Sequence, residues 1–268
     1  MICFPNAKIN LGLAVTEKRP DGFHNLETCF YPIPLTDVLE FEQSTQFELT
    51  LYGAPIAGSV DDNLLSRVWK LMNLEFGIPP VKVALLKQIP SGAGLGGGSA
   101  DAAFFIKELN AFFNLSMTVE HMERIALNLG SDCPFFIRNT PALASGRGEV
   151  MTDIDLSLSG YYLTVVFPGL FISTAEAFRK IVPRKPQIPL QQVLQLSPDQ
   201  WKNKLVNDFQ SIVIEMFPRI GNLIDQLEQS GAFYAALSGS GSAVFALSKS
   251  PLSPFSTDAS DKVFSWKL

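Results

Sequence analysis

Gly92-Ala93-Gly94-Leu95-Gly96-Gly97-Gly98-Ser99-Ala100-Asp101 is the stretch whose reading decides the fold. The apolar run over residues 81–86 before it predicts a strand. After it, Ala102, Ala103, Phe105, Ile106, Leu109, Phe112 and Phe113 recur at the spacings of one helix face. The glycines therefore lie where a loop enters a helix N-terminus. There the first backbone N–H groups lack a partner within the helix, and the dipole favours an anion. The glycines leave no Cβ to hold a ligand off the backbone, and they permit positive φ. A loop of that kind binds phosphate. The bland alternative is a flexible linker, but linkers do not run directly into a strongly apolar helix.

Two familiar phosphate loops fit poorly. Residues 92–97 satisfy G-x-G-x-x-G, but that pattern normally closes the first strand of a parallel unit. Here the loop starts only at residue 92, after segments that read as hairpins. A Walker A loop needs Lys after its last glycine, and this chain has Gly98 and Ser99 there.

Composition narrows the class. The chain has 268 residues, 47% of them apolar and 18% charged, which is enough for one or two domains with a sizeable core. With net charge −5 and no basic block, nucleic acid and anionic membrane surfaces are not expected partners. Cys3, Cys29 and Cys133 are odd in number and lack metal-ligand spacing, which points to a reducing compartment. Asn6, Lys8 and Asn10 sit where a signal peptide would need apolar residues, and the run over residues 161–167 is too short to span a bilayer. A cytoplasmic protein is expected.

Further segments frame the loop. Ala7, Ile9, Leu11, Leu13 and Val15 alternate with Lys8, Asn10, Gly12 and Ala14, so a first strand presents Lys8 and Asn10 side by side on its other face. A solvated lysine is the ordinary alternative. Arg19-Pro20-Asp21-Gly22-Phe23-His24 is a turn carrying an aromatic ring and an imidazole, which suits ligand stacking or local packing. Strands are expected over 38–42, 47–52 and 161–167, with a last one over 263–266. A helix should open at Asp62-Asn63 and end near Gly77, and another should open at Thr118 and end at Gly130. Asp132, ahead of Pro134, reads as a helix cap or as something more. Thr174 should cap a helix carrying Phe178. Residues 209–228 should be helical with a break at Pro218. Ala235-Ala236-Leu237-Ser238-Gly239-Ser240-Gly241-Ser242-Ala243-Val244-Phe245 puts a small-residue turn, longer than a hairpin needs, between two strands.

Three segments in order, Pro5-Asn6-Ala7-Lys8-Ile9-Asn10-Leu11, residues 90–101 and Leu237-Ser238-Gly239-Ser240-Gly241-Ser242-Ala243, resemble the motifs of the GHMP kinases. Arg19-Pro20-Asp21-Gly22-Phe23-His24-Asn25-Leu26 and Leu129-Gly130-Ser131-Asp132-Cys133-Pro134-Phe135-Phe136 narrow the resemblance to the branch acting on a cytidine-diphosphate alcohol in the non-mevalonate isoprenoid route. It covers nearly the whole chain.

The resemblance implies an α+β fold in two domains, an ATP-binding domain over 1–155 and a C-terminal α+β domain over 156–268, with the active site in the cleft between them. It implies ATP as phosphoryl donor, with Mg²⁺ carried on it, and a small cytidine diphosphate substrate. Asp132 would take the hydroxyl proton, with Lys8 beside it. Pro90, Gly92, Gly94, Leu95, Gly96, Gly97, Gly98, Ser99 and Ala100 would cradle the phosphates. Asn10, Phe23, His24, Thr174, Phe178, Gly239, Ser240 and Gly241 would line the substrate pocket. Asn63 and Lys87 are the neighbours suggested for the adenine end. Phe23 stands where the family commonly has Tyr, which keeps the stacking face, and Ala100 stands where a second Ser is common.

Rival readings are another GHMP kinase, such as a mevalonate or homoserine kinase, and a catalytically silent binder of the same fold. The first should lack the Asp-Gly-Phe-His segment, and the second should have lost Lys8 or Asp132. The oligomeric state is left open.

Overall fold

The computed structural model describes residues 1–55 and 58–268. The chain runs β1 (Ile2–Cys3), β2 (Asn6–Lys18), β3 (His24–Thr36), β4 (Val38–Gln43), β5 (Glu48–Gly53), α1 (Leu64–Phe76) and β6 (Val81–Lys87). Then come α2 (Gly97–Phe112), α3 (Val119–Leu127), α4 (Phe135–Arg138), β7 (Ala142–Ser145), β8 (Val150–Asp153) and β9 (Tyr162–Phe167). The last part holds α5 (Thr174–Lys180), α6 (Leu190–Leu194), α7 (Asp208–Met216), α8 (Pro218–Gln229), β10 (Tyr234–Leu237), β11 (Val244–Ser248) and β12 (Lys262–Lys267).

Two compact units interleave along this order. One comprises Met1–Lys8, Pro32–Ser91 and Gly96–Thr140; the other comprises Ile9–Tyr31, Gly92–Leu95 and Pro141–Leu268. A boundary at 155/156 divides the chain by position, whereas packing divides it by strand pairing. β3 pairs with β7, Thr28 opposite Ala144 and Phe30 opposite Ala142. That draws most of the N-terminal β2–β3 ribbon into the second unit.

The first unit is built on a sheet of order β1-β4-β6-β5, antiparallel except for the parallel β5–β6 pair. Val81, Val83 and Leu85 alternate into its core. Asn63 opens α1, its side chain accepting the Leu65 amide at 2.9 Å, and Gly77 closes it at φ +63°. α2 buries Ala102, Ala103, Phe105, Ile106 and Leu109, as its periodicity predicts. Each large side chain buried this way contributes about 1.5–3 kcal/mol. Phe105 and Phe112 both meet the β4 ring of Phe41 edge-on at 5.3 Å. Thr118 caps α3, which stops at Asn128 rather than Gly130; the Gly130 amide instead reaches back to the Ala126 carbonyl at 3.3 Å.

The second unit holds the sheets β2-β3-β7-β8 and β10-β11-β9-β12. Ile9, Leu11, Leu13 and Val15 are buried along β2. Leu13 and Val15 join a core with Val166, Phe209, Leu223, Leu237 and Val244. Ser173, not Thr174, caps α5, accepting the Glu176 amide at 3.3 Å. Among the described residues, no helix is long and apolar enough to cross a membrane.

Candidate functional site

In the first unit, Lys8 and Asp132 come together. Lys8 Nζ lies 3.5 Å from Asp132 Oδ2, with the lysine side chain buried and the aspartate 36% exposed. Burial lowers the Lys8 pKa below the usual lysine range, and the Asp132 carboxylate opposes that shift. Asp132 does not cap α4, which starts at Phe135 with Pro134 in the cap position and no side-chain cap bond. Its turn is anchored by the buried rings of Phe135 and Phe136.

The glycine loop meets this pair directly. Gly96 has φ +72°, and a Cβ there would lie 2.9 Å from Phe136 Cζ and 3.1 Å from Lys8 Cε. Only a residue without a side chain lets the loop backbone sit on the lysine stem. The Ala100 amide bonds back to the Gly96 carbonyl at 2.9 Å. Ala100 is thus spent on the helix, while the amides of Gly97, Gly98 and Ser99 precede its first internal bond. Around Gly98 a Cβ would meet nothing nearer than Leu64 Cδ1 at 3.8 Å, so its backbone is open to approach. Next to Asp132, the Cys133 thiol is pushed up to about 11 by burial, too high for a nucleophile at neutral pH. Pro90 and Leu95 are buried, and contribute through the path of the chain.

Lys87 does not serve an adenine pocket. It is buried between Asp37 and Asp101, with Asp101 Oδ2 at 2.7 Å from its Nζ. Asp37 also accepts the Ile89 amide at 2.8 Å. The missing Cβ of Gly97 leaves room for this ammonium, which would stand 2.9 Å from it. Burial pushes the Asp101 carboxyl up to about 7 despite Lys87. Its Oδ1 has no hydrogen-bond partner among the described residues. Asn63 is engaged in capping α1.

The second unit gathers most of the expected substrate residues. Ser238 Oγ donates to the Gly94 carbonyl at 2.9 Å and accepts the Asn10 amide at 3.3 Å. A side chain on Gly94, at φ +76°, would strike the Ser238 carbonyl oxygen. Asn10 Nδ2 donates to Thr28 Oγ1 at 2.9 Å, and a Cβ on Gly239 would lie 3.2 Å from Asn10 Oδ1. Buried Asn207 holds the turn from below, donating to the Leu237 and Gly239 carbonyls at 2.9 and 2.8 Å. Thr174 and Ser240 share a hydroxyl–hydroxyl bond of 3.0 Å. A Cβ on Gly241, at φ +92°, would crowd Ile172 Cδ1 at 2.9 Å; one on Gly92, at φ +67°, would touch the Phe171 ring at 3.5 Å.

The aromatic residues divide. His24 stacks on Phe178 with centroids 5.0 Å apart and planes at 25°, and Phe178 meets Phe209 edge-on at 4.8 Å. Burial, with the Lys18 charge, lowers the His24 pKa, so at neutral pH the imidazole is neutral, with one donor and one acceptor nitrogen. Phe23 stands apart and 54% exposed, with the Arg147 guanidinium carbon 5.1 Å from its ring centre. Thr28, Asn207 and Arg147 are neighbours of these residues that sequence reasoning did not single out, and Ser238 stood there only as part of its motif. The Asn207-Asp208 pair ahead of the apolar run from Phe209 is a helix-start signature that could have flagged Asn207.

Known proteins resemble this chain along nearly its whole length. The GHMP kinases N terminal domain family matches residues 63–140, and the GHMP kinases C terminal family matches residues 190–255. A 4-diphosphocytidyl-2-C-methyl-D-erythritol kinase of Bacteroides fragilis is 50% identical over 251 residues, 92% of either chain. One of Bacteroides thetaiotaomicron is 46% identical over 271 residues, covering 100% of this chain and 99% of that one. A crystal structure of 4-(cytidine 5′-diphospho)-2C-methyl-D-erythritol kinase matches with TM-score 0.81 at 32% identity, over 94% of this chain and 91% of that one. Both domain families are present in order and the relatives run along nearly the whole length, so the chain belongs to the GHMP kinase family.

Proposed function

We propose that this chain transfers a phosphoryl group from ATP to the 2-hydroxyl of 4-diphosphocytidyl-2-C-methyl-D-erythritol, on the non-mevalonate route to isoprenoid precursors in the cytoplasm. The names of its relatives support the substrate. The observation that carries the chemistry is the Lys8–Asp132 pair lying against Gly96 of the glycine loop.

Phosphoryl transfer is mostly positioning and charge stabilisation. The amides of Gly97, Gly98 and Ser99, at the positive end of α2, would hold the nucleotide phosphates. The Asp132 carboxylate, exposed on one side, would accept the proton of the attacking hydroxyl. Lys8 would fix that carboxylate and offset negative charge at the transferring group. The donors beside the loop, the Ser99 hydroxyl and the Asp132 carboxylate, are oxygens and suit a hard cation. Mg²⁺ carried by ATP would be held there and would neutralise charge on the outer phosphates. In the second unit, Asn10, Thr174 and residues 239–241 would line the alcohol's pocket. The His24 imidazole, with its donor and acceptor nitrogens, would read the base edge beside Phe178 and Phe23.

Asp132→Asn tests this. Turnover should fall about 10²–10⁴-fold, while the affinity for a non-hydrolysable ATP analogue, read by calorimetry, stays close to wild type. Near-wild-type turnover by the variant would remove Asp132 from the reaction.

A further inference from the structure

The second unit contains a cavity of about 410 Å³, within the size range of small-molecule sites. It lies where the edge of β2 is covered by other segments. The Leu13 amide donates to the Val206 carbonyl at 2.9 Å, the Val15 amide to Asp208 Oδ2 at 2.8 Å, and the Arg184 amide to the Val15 carbonyl at 2.9 Å. None of Asn10, Phe23, His24, Phe178 or residues 239–241 lines it. Glu27 does, and on β3 it is one residue out of step with His24 and Thr28, so it leaves the opposite face of the strand.

Two kinds of surface meet in this cavity. Leu13, Ile188, Leu190 and Val193 supply an apolar wall, and Arg184, Lys185 and Lys204 bring three cationic side chains to it. Two carboxylates face them, Asp208 and Glu27. Asp208 is already engaged by the Val15 amide and by Arg184, whose Nη2 lies 3.7 Å from its Oδ1. Lys185 and Lys204 have no carboxylate partner among the described residues. An ordinary solvated lysine is not backed by an apolar hollow. Two unengaged ammonium groups above such a hollow complement a ligand with an anionic head and a short apolar body.

We propose that this cavity is a second ligand site taking a short-chain alkyl diphosphate, with its head between Lys185 and Lys204 and its chain against Ile188, Leu190 and Val193. The site stands apart from the kinase reading and does not depend on it.

Calorimetry on the full chain with isopentenyl diphosphate, a five-carbon alkyl diphosphate, tests the proposal. Inorganic diphosphate and the parent alcohol serve as controls. One equivalent should bind at least about tenfold more tightly than either control, and a saturating non-hydrolysable ATP analogue should not displace it. The double variant Lys185→Gln, Lys204→Gln, with an unchanged melting temperature, should lose at least about tenfold in affinity, since charge-assisted bonds to the head are removed. Glu27→Gln should bind more tightly than wild type, because an opposing charge is gone. Displacement by the ATP analogue, equal affinity for inorganic diphosphate, or binding unaltered by the double variant would each overturn the proposal, as would no binding at millimolar concentration.

Discussion

Lys8 is 3% exposed, and its ammonium lies 3.5 Å from the partly exposed Asp132 carboxylate. Its place was legible, because alternation along the first strand separates Lys8 from the apolar face of Ile9 and Leu11. Asp132 was legible only through its motif; by local rules it read equally as a cap. The Lys87 cluster was not legible at all. Asp37 and Asp101 are far apart in sequence, and nothing local tells a strand-end lysine to turn inward. That cluster has a measurable consequence. Asp101 has its carboxyl raised to about 7 from an ordinary value of 3.8. Between those values the folded chain holds a proton that the unfolded chain has released, so this group makes stability fall as pH rises through the window. Asp101→Asn should flatten that slope in denaturant titrations, and an unchanged slope would refute the assignment. Phe23 yields a second expectation. Phe23→Ala should raise KM for the cytidine substrate by about 5–150-fold, the equivalent of one stacked ring at about 1–3 kcal/mol, and leave KM for ATP in place. Equal shifts in both would remove this residue from base recognition.

The glycine loop and α2 form the element on which the reading turns, and here sequence reasoning reached furthest. Periodicity gave the buried face of α2 from Ala102 to Leu109 but not its ends: Asp101 is buried beside that face, Phe112, expected on it, is 36% exposed, and Phe113 falls at the C-cap beyond the helix. Caps were harder. Ser173 and Thr174 are adjacent hydroxyl residues, and only backbone geometry decides which one accepts the Glu176 amide. The two halves of the loop should respond differently to a methyl group. Gly98→Ala should raise thermal stability by up to about 1 kcal/mol, since its position is helical and open. It should also raise KM for ATP, because the added methyl covers amides meant for phosphate. Gly94→Ala should instead destabilise the fold by at least about 1–2 kcal/mol, as its φ of +76° is left-handed and the Ser238 carbonyl blocks the new atom. Denaturation and initial-rate measurements on the two variants separate these effects; matched responses would contradict this division of the loop.

At the scale of the molecule, the α+β class and the family were legible, because three motifs stood in order and their flanking patterns were consistent. The interleaving of the two units was not. It depends on β3 pairing with β7, more than a hundred residues apart, and no local signal encodes which distant strand a ribbon will join. The kinase reading rests on the Lys8–Asp132 pair against Gly96 and on the names of the relatives. It is tested most directly by following ATP consumption by the intact enzyme with 4-diphosphocytidyl-2-C-methyl-D-erythritol, mevalonate and homoserine in parallel. Turnover with the cytidyl substrate alone, yielding the 2-phosphate, is the expected result. Turnover of mevalonate or homoserine in its place, or of none of the three, would contradict the account.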